Sequence, residues 1–379
     1  MPRLPATEIA PGVVEREAKD VSDSVEVGNF RPCSILITGG AGFIGSAVVR
    51  KLVKSHPEYR IIVLDKLDYC ATERNLDSVD RHANFEFVKG EIQSADLVRH
   101  VLAAGKVDTI FHFAAQTHVD NSFGNSLAFT VNNTLGTHVL LEAARMHGKI
   151  KRFINVSTDE VYGEASFGLD TGLGENSVLQ PTNPYSAAKA GAEMMVRAYG
   201  TSYGLPIITT RGNNVYGPHQ YPEKLIPKFI LRAAKGDSLT IHGDGLSTRS
   251  YVYVDDAADA FLTVLHKGVT GETYNIATRA ERTVMSVAHD IAKRVKNCDM
   301  TKGPATSPRL EHVVDRAFND RRYFICDKKL AALGWSEKTS WEKGLNATIE
   351  WYRKHGKKSY WEHGNIAAAL QPHPAAVAV

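Results

Sequence analysis

Cysteine is scarce in this chain. The four present, Cys33, Cys70, Cys298 and Cys326, form no Cys-x-x-Cys pair. Neither a zinc site nor a disulfide framework is indicated, and free thiols in a reducing cytosol are the expectation. Long apolar runs are missing too, since nothing approaches the roughly 18 consecutive apolar residues of a membrane span. No charge of one sign dominates: 45 basic residues face 42 acidic ones, a net charge of +3. A dedicated nucleic-acid binder would instead carry a concentrated basic stripe. The first 30 residues hold Glu8, Glu15, Glu17, Asp20, Asp23 and Glu26 without a continuous apolar core. That pattern argues against a secretory signal and against an Arg-rich, acid-poor transit peptide.

What is present is ordinary globular material, 43% hydrophobic and 23% charged over 379 residues, enough for two structural units. Residues 1 to about 32 and 365–379 read as flexible tails. Between them short apolar runs alternate with amphipathic stretches. Ser34–Thr38, Arg60–Leu64, Phe85–Val88, Thr109–Ala115, Lys151–Thr158 and Pro206–Arg211 read as strands, and Glu272–Ala277 as a seventh. Helices are expected at Phe43–Lys54, Leu127–His147 and Pro184–Tyr203. Further along, Glu223–Lys235, Asp255–His266, Thr283–Lys296 and Trp341–Lys354 read as helices, with a short strand at Leu239–His242. Apolar strands without in/out alternation, joined by helices, predict an α/β doubly wound parallel sheet covered on both faces. Ligands of such a sheet sit beyond the carboxyl ends of its strands. The large unit is expected at 34–213 and about 250–277, and a smaller mixed α/β unit at about 214–249 and 278–364.

Three motifs carry chemistry. Gly39, Gly42 and Gly45 follow a buried strand and open a helix, and Asp65 ends the next strand 20 residues beyond Gly45. A bare glycine pattern is weak, but this context is a dinucleotide site. The backbone approaches a pyrophosphate at a helix N-terminus, and the carboxylate takes the adenosine ribose. Asp65 would repel a 2′-phosphate, which favours NAD over NADP, although Lys66 follows it. Tyr185 and Lys189 are spaced to share one helical face. A free phenol has a pKa of about 10, and a nearby ammonium and an oxidised nicotinamide would both lower it, making Tyr185 a base for a sugar hydroxyl. Thr158-Asp159-Glu160 ends the fifth strand. Adjacent carboxylates there can converge on a ligand once the chain turns, or merely cap that turn.

Together these motifs resemble the extended short-chain dehydrogenase/reductase family of nucleotide-sugar enzymes, and Thr158-Asp159-Glu160 is similar to the triplet of its 4,6-dehydratases. The stretches 114–126, 210–218, 223–230 and 318–324 are similar to the dehydratase portion of UDP-rhamnose synthases, which implies UDP-glucose rather than dTDP-glucose. By that resemblance Phe43, Ile44, Asp65, Lys66, Glu91, Ile92, Ala114, Ala115 and Gln116 line an NAD site. Thr117, Asp120, Asn214, Lys224, Leu225, Arg249, Asn275, Arg316 and Asn319, with Thr158, hold the nucleotide sugar. Glu91 stands where an Asp is usual, and Ala317 where a Pro is usual.

The implied reaction converts UDP-glucose to UDP-4-keto-6-deoxyglucose. Oxidation at C4 must come first, because C5 becomes acidic only beside a ketone. Tyr185, aided by Thr158 and Lys189, would take the C4 hydroxyl proton; Glu160 would remove the C5 proton and Asp159 would protonate the departing C6 hydroxyl. Asp159 could do so near neutral pH only if burial beside Glu160 raises its pKa. The same resemblance implies a homodimer, and the composition leads to the expectation of a cytoplasmic protein without nucleic-acid, metal or membrane partners. The rival readings are a dTDP-glucose 4,6-dehydratase, a UDP-sugar 4-epimerase or decarboxylase, and a non-enzymatic NAD-binding regulator. Epimerases and decarboxylases need no proton donor at C6, and the regulator would be marked by loss of Tyr185 or Lys189.

Overall fold

A computed structural model describes residues 29–168, 170–297, 309–315, 319–356 and 360–371. Arg316, Ala317, Cys298 and both outer ends of the expected tails lie outside the described residues. The strands are β1 (Ser34–Thr38), β2 (Arg60–Asp65), β3 (Phe85–Lys89), β4 (Thr109–His112), β5 (Arg152–Thr158) and β6 (Ile207–Gly212). They continue with β7 (Asn214–Tyr216), β8 (Leu239–His242), β9 (Thr248–Tyr253), β10 (Thr273–Ile276), β11 (Glu281–Thr283) and β12 (Leu310–Val313). The helices are α1 (Phe43–Ser55), α2 (Ala95–Ala104), α3 (Val119–Gly124), α4 (Ser126–Phe129), α5 (Gly136–His147) and α6 (Pro184–Tyr203). After them come α7 (Leu225–Lys235), α8 (Val254–Lys267), α9 (Val284–Asn297), α10 (Lys328–Ala332), α11 (Trp341–His355) and α12 (Ile366–Ala369).

Seven strands form one parallel sheet in the order β10-β6-β5-β4-β1-β2-β3. Both faces are buried. Ile35 and Ile37 of β1 join one apolar cluster while Leu36 between them joins the other. This explains why the strand sequences show no polar/apolar alternation. Each such side chain contributes about 1.5–3 kcal/mol by leaving water. Chain order runs outward from β1 through β2 to β3, then returns to the other side of β1 at β4. The crevice at the carboxyl ends of β1 and β4 is therefore the switch point where a doubly wound sheet takes its ligand.

The structure departs from expectation in five places. β4 ends at His112 rather than Ala115. The stretch expected as one helix over 127–147 is broken: α4 is followed by a π-helical segment, Thr130–Leu135, before α5 begins. Asn133 sits in that segment and bonds both the N–H and the carbonyl of Gln116. The short strands β7, β9 and β11 form a second sheet, and β8 pairs with β12 in a third. β9 thus straddles the expected boundary at 250 and belongs to the smaller sheet. Near the ends, residue 365 does not begin a loose tail. Asn365 caps α12, and Ile366 and Leu370 are buried in the core. At the other end Phe30 donates its backbone N–H to the His266 carbonyl at 2.9 Å, and its ring lies under Arg152.

Candidate active site

The glycine loop runs from β1 into α1. Gly39 has φ +70°, and a Cβ there would lie 2.6 Å from the Ala114 amide nitrogen. A Cβ on Gly45 would lie 2.4 Å from the Gly39 carbonyl, so both positions demand glycine. Gly42 caps α1 without a side chain, and no acidic residue occupies the first turn. The loop is thus closely wrapped and leaves a helix N-terminus free of competing carboxylates, which fits a diphosphate. Phe43 and Ile44 open α1 half-buried. Asp65 does more than the sequence implied. Its carboxylate accepts from the Ala41 N–H at 2.9 Å and the Leu67 N–H at 2.8 Å, which braces the loop against β2. Burial raises its pKa against those two bonds. One lone pair on each oxygen remains for a ribose. Lys66 pairs with Asp68 at 3.0 Å, and Gln116 Nε2 donates to the same carboxylate at 2.6 Å. Ala114 and Ala115 are half-buried beyond β4, Ile92 is buried, and Glu91 is exposed. Asn133 escaped sequence reasoning because its role is a long-range bond to Gln116, which no local pattern records.

The second cluster sits at the carboxyl end of β5. Thr158 is extended and its Oγ1 accepts from the Glu160 N–H at 3.3 Å, so it caps the tight turn Asp159–Tyr162. Asp159 is 2% exposed. Burial, followed by the neighbouring Glu160, pushes its carboxyl up to about 7. Its Oδ1 accepts from Thr158 Oγ1 at 3.2 Å and its Oδ2 from Asn213 Nδ2 at 2.7 Å. Glu160 is half-buried, and its Oε2 accepts from Asn183 Nδ2 at 3.3 Å. Asn183 is also the N-cap of α6, closing a capping box with Ser186 ahead of Pro184. The residue that starts the helix therefore also ties it to the dyad.

Tyr185 and Lys189 lie on the buried face of α6, as their spacing implied. Tyr185 shares a hydrogen bond with Thr158. The expected lowering of the phenol is not found in the chain itself. Burial, then the Glu160 charge, push Tyr185 well above its ordinary value. The Lys189 ammonium donates to the Val156 carbonyl at 2.6 Å, and burial pulls it down to about 8.

The expected substrate contacts divide. Arg249 on β9 donates to Asn319 Oδ1 at 3.1 Å and to the Asp320 carbonyl at 2.8 Å. It lies over the Tyr323 ring and close enough to Asp159 to act on its charge. Lys224 Nζ reaches the Thr117 carbonyl at 2.6 Å, so the start of α7, where Leu225 is half-buried, meets the segment after β4. Asp120 is buried with His118 3.8 Å away, and Asn214 is exposed at the start of β7. Asn275 lies on β10 of the large sheet. It is fully buried, its Oδ1 accepting from the Tyr162 hydroxyl at 2.9 Å and its Nδ2 donating to the Leu173 carbonyl at 3.1 Å. Those two bonds use one amide hydrogen and one oxygen lone pair, leaving one of each on the Asn275 side chain. Asn183, Asn213 and Tyr323 adjoin the dyad but had been given no role. Asn213 and Tyr323 carry a local signal, since they lie in the 210–218 and 318–324 stretches; Asn183 carries none beyond its place ahead of Pro184.

The chain is 58% identical over 346 residues to a trifunctional UDP-glucose 4,6-dehydratase/UDP-4-keto-6-deoxy-D-glucose 3,5-epimerase/UDP-4-keto-L-rhamnose-reductase of Arabidopsis thaliana; the match covers 91% of this chain and 50% of that protein. The chain thus spans about half the length of the plant relatives it matches. It is 46% identical over 340 residues to the dTDP-D-glucose 4,6-dehydratase of Mus musculus, covering 90% of this chain and 93% of that one. Among solved structures, the dTDP-glucose 4,6-dehydratase DesIV of Streptomyces venezuelae, crystallised with NAD bound, superposes with a TM-score of 0.79 at 39% identity, over 87% of this chain and 99% of that one. The profile of the GDP-mannose 4,6 dehydratase family matches residues 36–348. Because that match runs from the first strand of the large sheet into α11, its last long helix, the chain belongs to the GDP-mannose 4,6 dehydratase family.

Proposed function

We propose that this protein dehydrates UDP-glucose to UDP-4-keto-6-deoxyglucose with a recycled NAD. The observation that carries the reading is Asp159, a carboxyl buried beside Glu160 at a strand end and pushed up to about 7. A side chain that keeps its proton near neutral pH is what expulsion of the C6 hydroxyl requires, and neither epimerisation nor decarboxylation needs it. NAD is assigned to Gly39, Gly42, Gly45, Phe43, Ile44, Asp65, Lys66, Glu91, Ile92 and Ala114–Gln116; when bound, it supplies a hydride acceptor for C4 and a donor for C6. Tyr185 takes the C4 hydroxyl proton, with Thr158 orienting that hydroxyl and Lys189 adding positive charge. Glu160 removes the C5 proton and Asp159 protonates the hydroxyl, which leaves C6 as water; the proton held by Glu160 then returns to C5 to complete the 6-deoxy product. Asn214, Lys224, Arg249, Asn275 and Arg316 are assigned to the nucleotide diphosphate; the guanidinium groups of Arg249 and Arg316 suit it, since they pair with phosphate oxygens through two parallel bonds.

The choice of UDP-glucose is supported by the 58% identity to the plant protein, against 46% for the mouse dTDP-glucose relative. A cytosolic homodimer completes the reading. Leu127, Val131, Leu135 and Met194 are exposed apolar side chains on the adjoining helical segments of α4, the π turn and α6, a surface suited to a second copy. Among the described residues no helix is long and apolar enough to cross a membrane.

The test separates the half-reactions. Mixed with UDP-glucose, the wild-type holoenzyme should release a product lighter by one water without accumulating NADH. Asp159→Asn and Glu160→Gln should still oxidise C4 and then stall, so NADH absorbance builds up while product forms ~10²–10⁴-fold more slowly. Full activity of both variants, or no reduction of cofactor in either, overturns the assignment.

A further inference from the structure

Three strand ends lie side by side at the carboxyl edge of the large sheet. The register places Gly212 of β6 between Thr158 of β5 and Ile276 of β10. The residues just beyond therefore meet laterally: Asp159 from β5, Asn213 from β6 and Thr278 from the segment after β10. Asn213 is 4% exposed and its backbone N–H donates to the Ile276 carbonyl at 2.9 Å. Its side-chain Oδ1 accepts from the Thr278 backbone N–H at 3.2 Å, and its Nδ2 donates to Asp159 Oδ2 at 2.7 Å. The two ends of a carboxamide are not interchangeable here. Turning the amide over would set N–H against N–H at Thr278 and oxygen against oxygen at Asp159. The Thr278 backbone thus fixes the NH2 group toward the carboxyl.

We infer that Asn213 is a positioning residue for Asp159, holding Oδ2 as an acceptor and thereby confining the transferable proton to Oδ1, the oxygen beside Thr158. This rests on the reading of Asp159 as the acid of the dehydration step. Oδ1 is 3.2 Å from Thr158 Oγ1, which in turn bonds Tyr185. A proton on Oδ1 therefore lies on the side where Tyr185 and Thr158 converge; a proton on Oδ2 would face protein. Asn213 also opposes the burial and the Glu160 charge that raise this carboxyl, together with Arg249 and Thr158, which lower it. Tyr185 faces the same group from α6. Without the amide donor the proton is held more tightly, and a weaker acid transfers it more slowly.

The carboxyl can be read without substrate. Infrared difference spectra of the holoenzyme across pH 5–10, with the Asp159 band identified by its loss in Asp159→Asn, should titrate near neutrality in the wild type. In Asn213→Leu, which keeps the volume, and in Asn213→Ala the midpoint should rise by about one pH unit or more. After mixing with UDP-glucose, both variants should build up NADH that the wild type does not accumulate and consume it at least ~10-fold more slowly, with the basic limb of that decay displaced upward. An unshifted titration in folded Asn213→Leu overturns the inference. Should neither variant fold, the side-chain NH2 resonances of Asn213 in the wild type decide: they must move with the Asp159 titration, and their indifference to it overturns the inference. Failure of the wild type to release a product lighter by one water would overturn the dehydratase reading alone.

Discussion

Burial of Asp159 carries a thermodynamic signature that can be measured in the absence of any substrate. Its carboxyl sits near 7 in the folded protein against an ordinary 3.8, so between those values the folded state binds the proton and the unfolded state does not. Stability must therefore fall as pH rises from about 4 to about 7 and stay low above it. Asp159→Asn removes the titration while still accepting from Asn213. At pH 8 the variant should be more stable than wild type by roughly 2–4 kcal/mol, with the gap closing below about pH 4. Urea unfolding at pH 4 and pH 8 measures both, and an equal difference at the two pH values would show that the carboxyl is not held protonated. The pairing of Asp159 with Glu160 could be read from the sequence, but the raised pKa could not, because it depends on what the other strands stack around the carboxyl.

At the scale of elements, α6 is the most legible part of the molecule. Asn183, Pro184 and Gly204 mark its ends, and the structure has them as N-cap, first residue and left-handed terminus at φ +67°. Asn183 holds both the helix start and Glu160, so Asn183→Ala should cost about 1 kcal/mol as a lost cap, and the loosened Glu160 should slow the step after C4 oxidation. Thermal melting gives the first effect and the decay of NADH the second; a variant with altered melting and unaltered decay would separate cap from dyad. The glycine loop makes a stricter demand. In Gly45→Ala the new methyl group would sit 2.4 Å from the Gly39 carbonyl, so the turn must open. Purified variant should lose its dinucleotide while circular dichroism remains that of the wild type, and retention of bound NAD would refute the assigned loop geometry. The π-helical segment was illegible by comparison. Within it Asn133 bonds both backbone groups of Gln116, joining residues 17 apart that no helical or strand period connects.

For the whole molecule the open choice is the nucleotide base. Uracil and thymine differ by one methyl, and a single methyl contact supports about 1–3 kcal/mol of discrimination. UDP-glucose is expected to be preferred by roughly 10–200-fold in kcat/KM. Direct competition between UDP-glucose and dTDP-glucose measures the ratio, and one favouring dTDP-glucose would move this chain to the mouse relative's substrate class. The residues assigned to the nucleotide come from well-separated stretches, and tertiary contacts tie these to their neighbours: Arg249 of β9 bonds Asn319, and Lys224 at the start of α7 bonds the Thr117 carbonyl.

By itself the sequence determined the seven-stranded parallel sheet, the glycine loop, the Tyr185–Lys189 face and the place of the Thr158-Asp159-Glu160 turn. Each is a local matter of apolar runs, backbone conformation or helical spacing, and local patterns encode such things. Tertiary structure alone decided that Asp159 is dry, that Asn213 and Thr278 flank it, that Asp65 braces the loop, and that the Asn275 amide is turned to Tyr162 and Leu173. These depend on which strand ends become neighbours. In a parallel sheet neighbouring strands are joined by long crossovers, so the residues that tune one another's charge are far apart in the chain and leave no periodic trace in it.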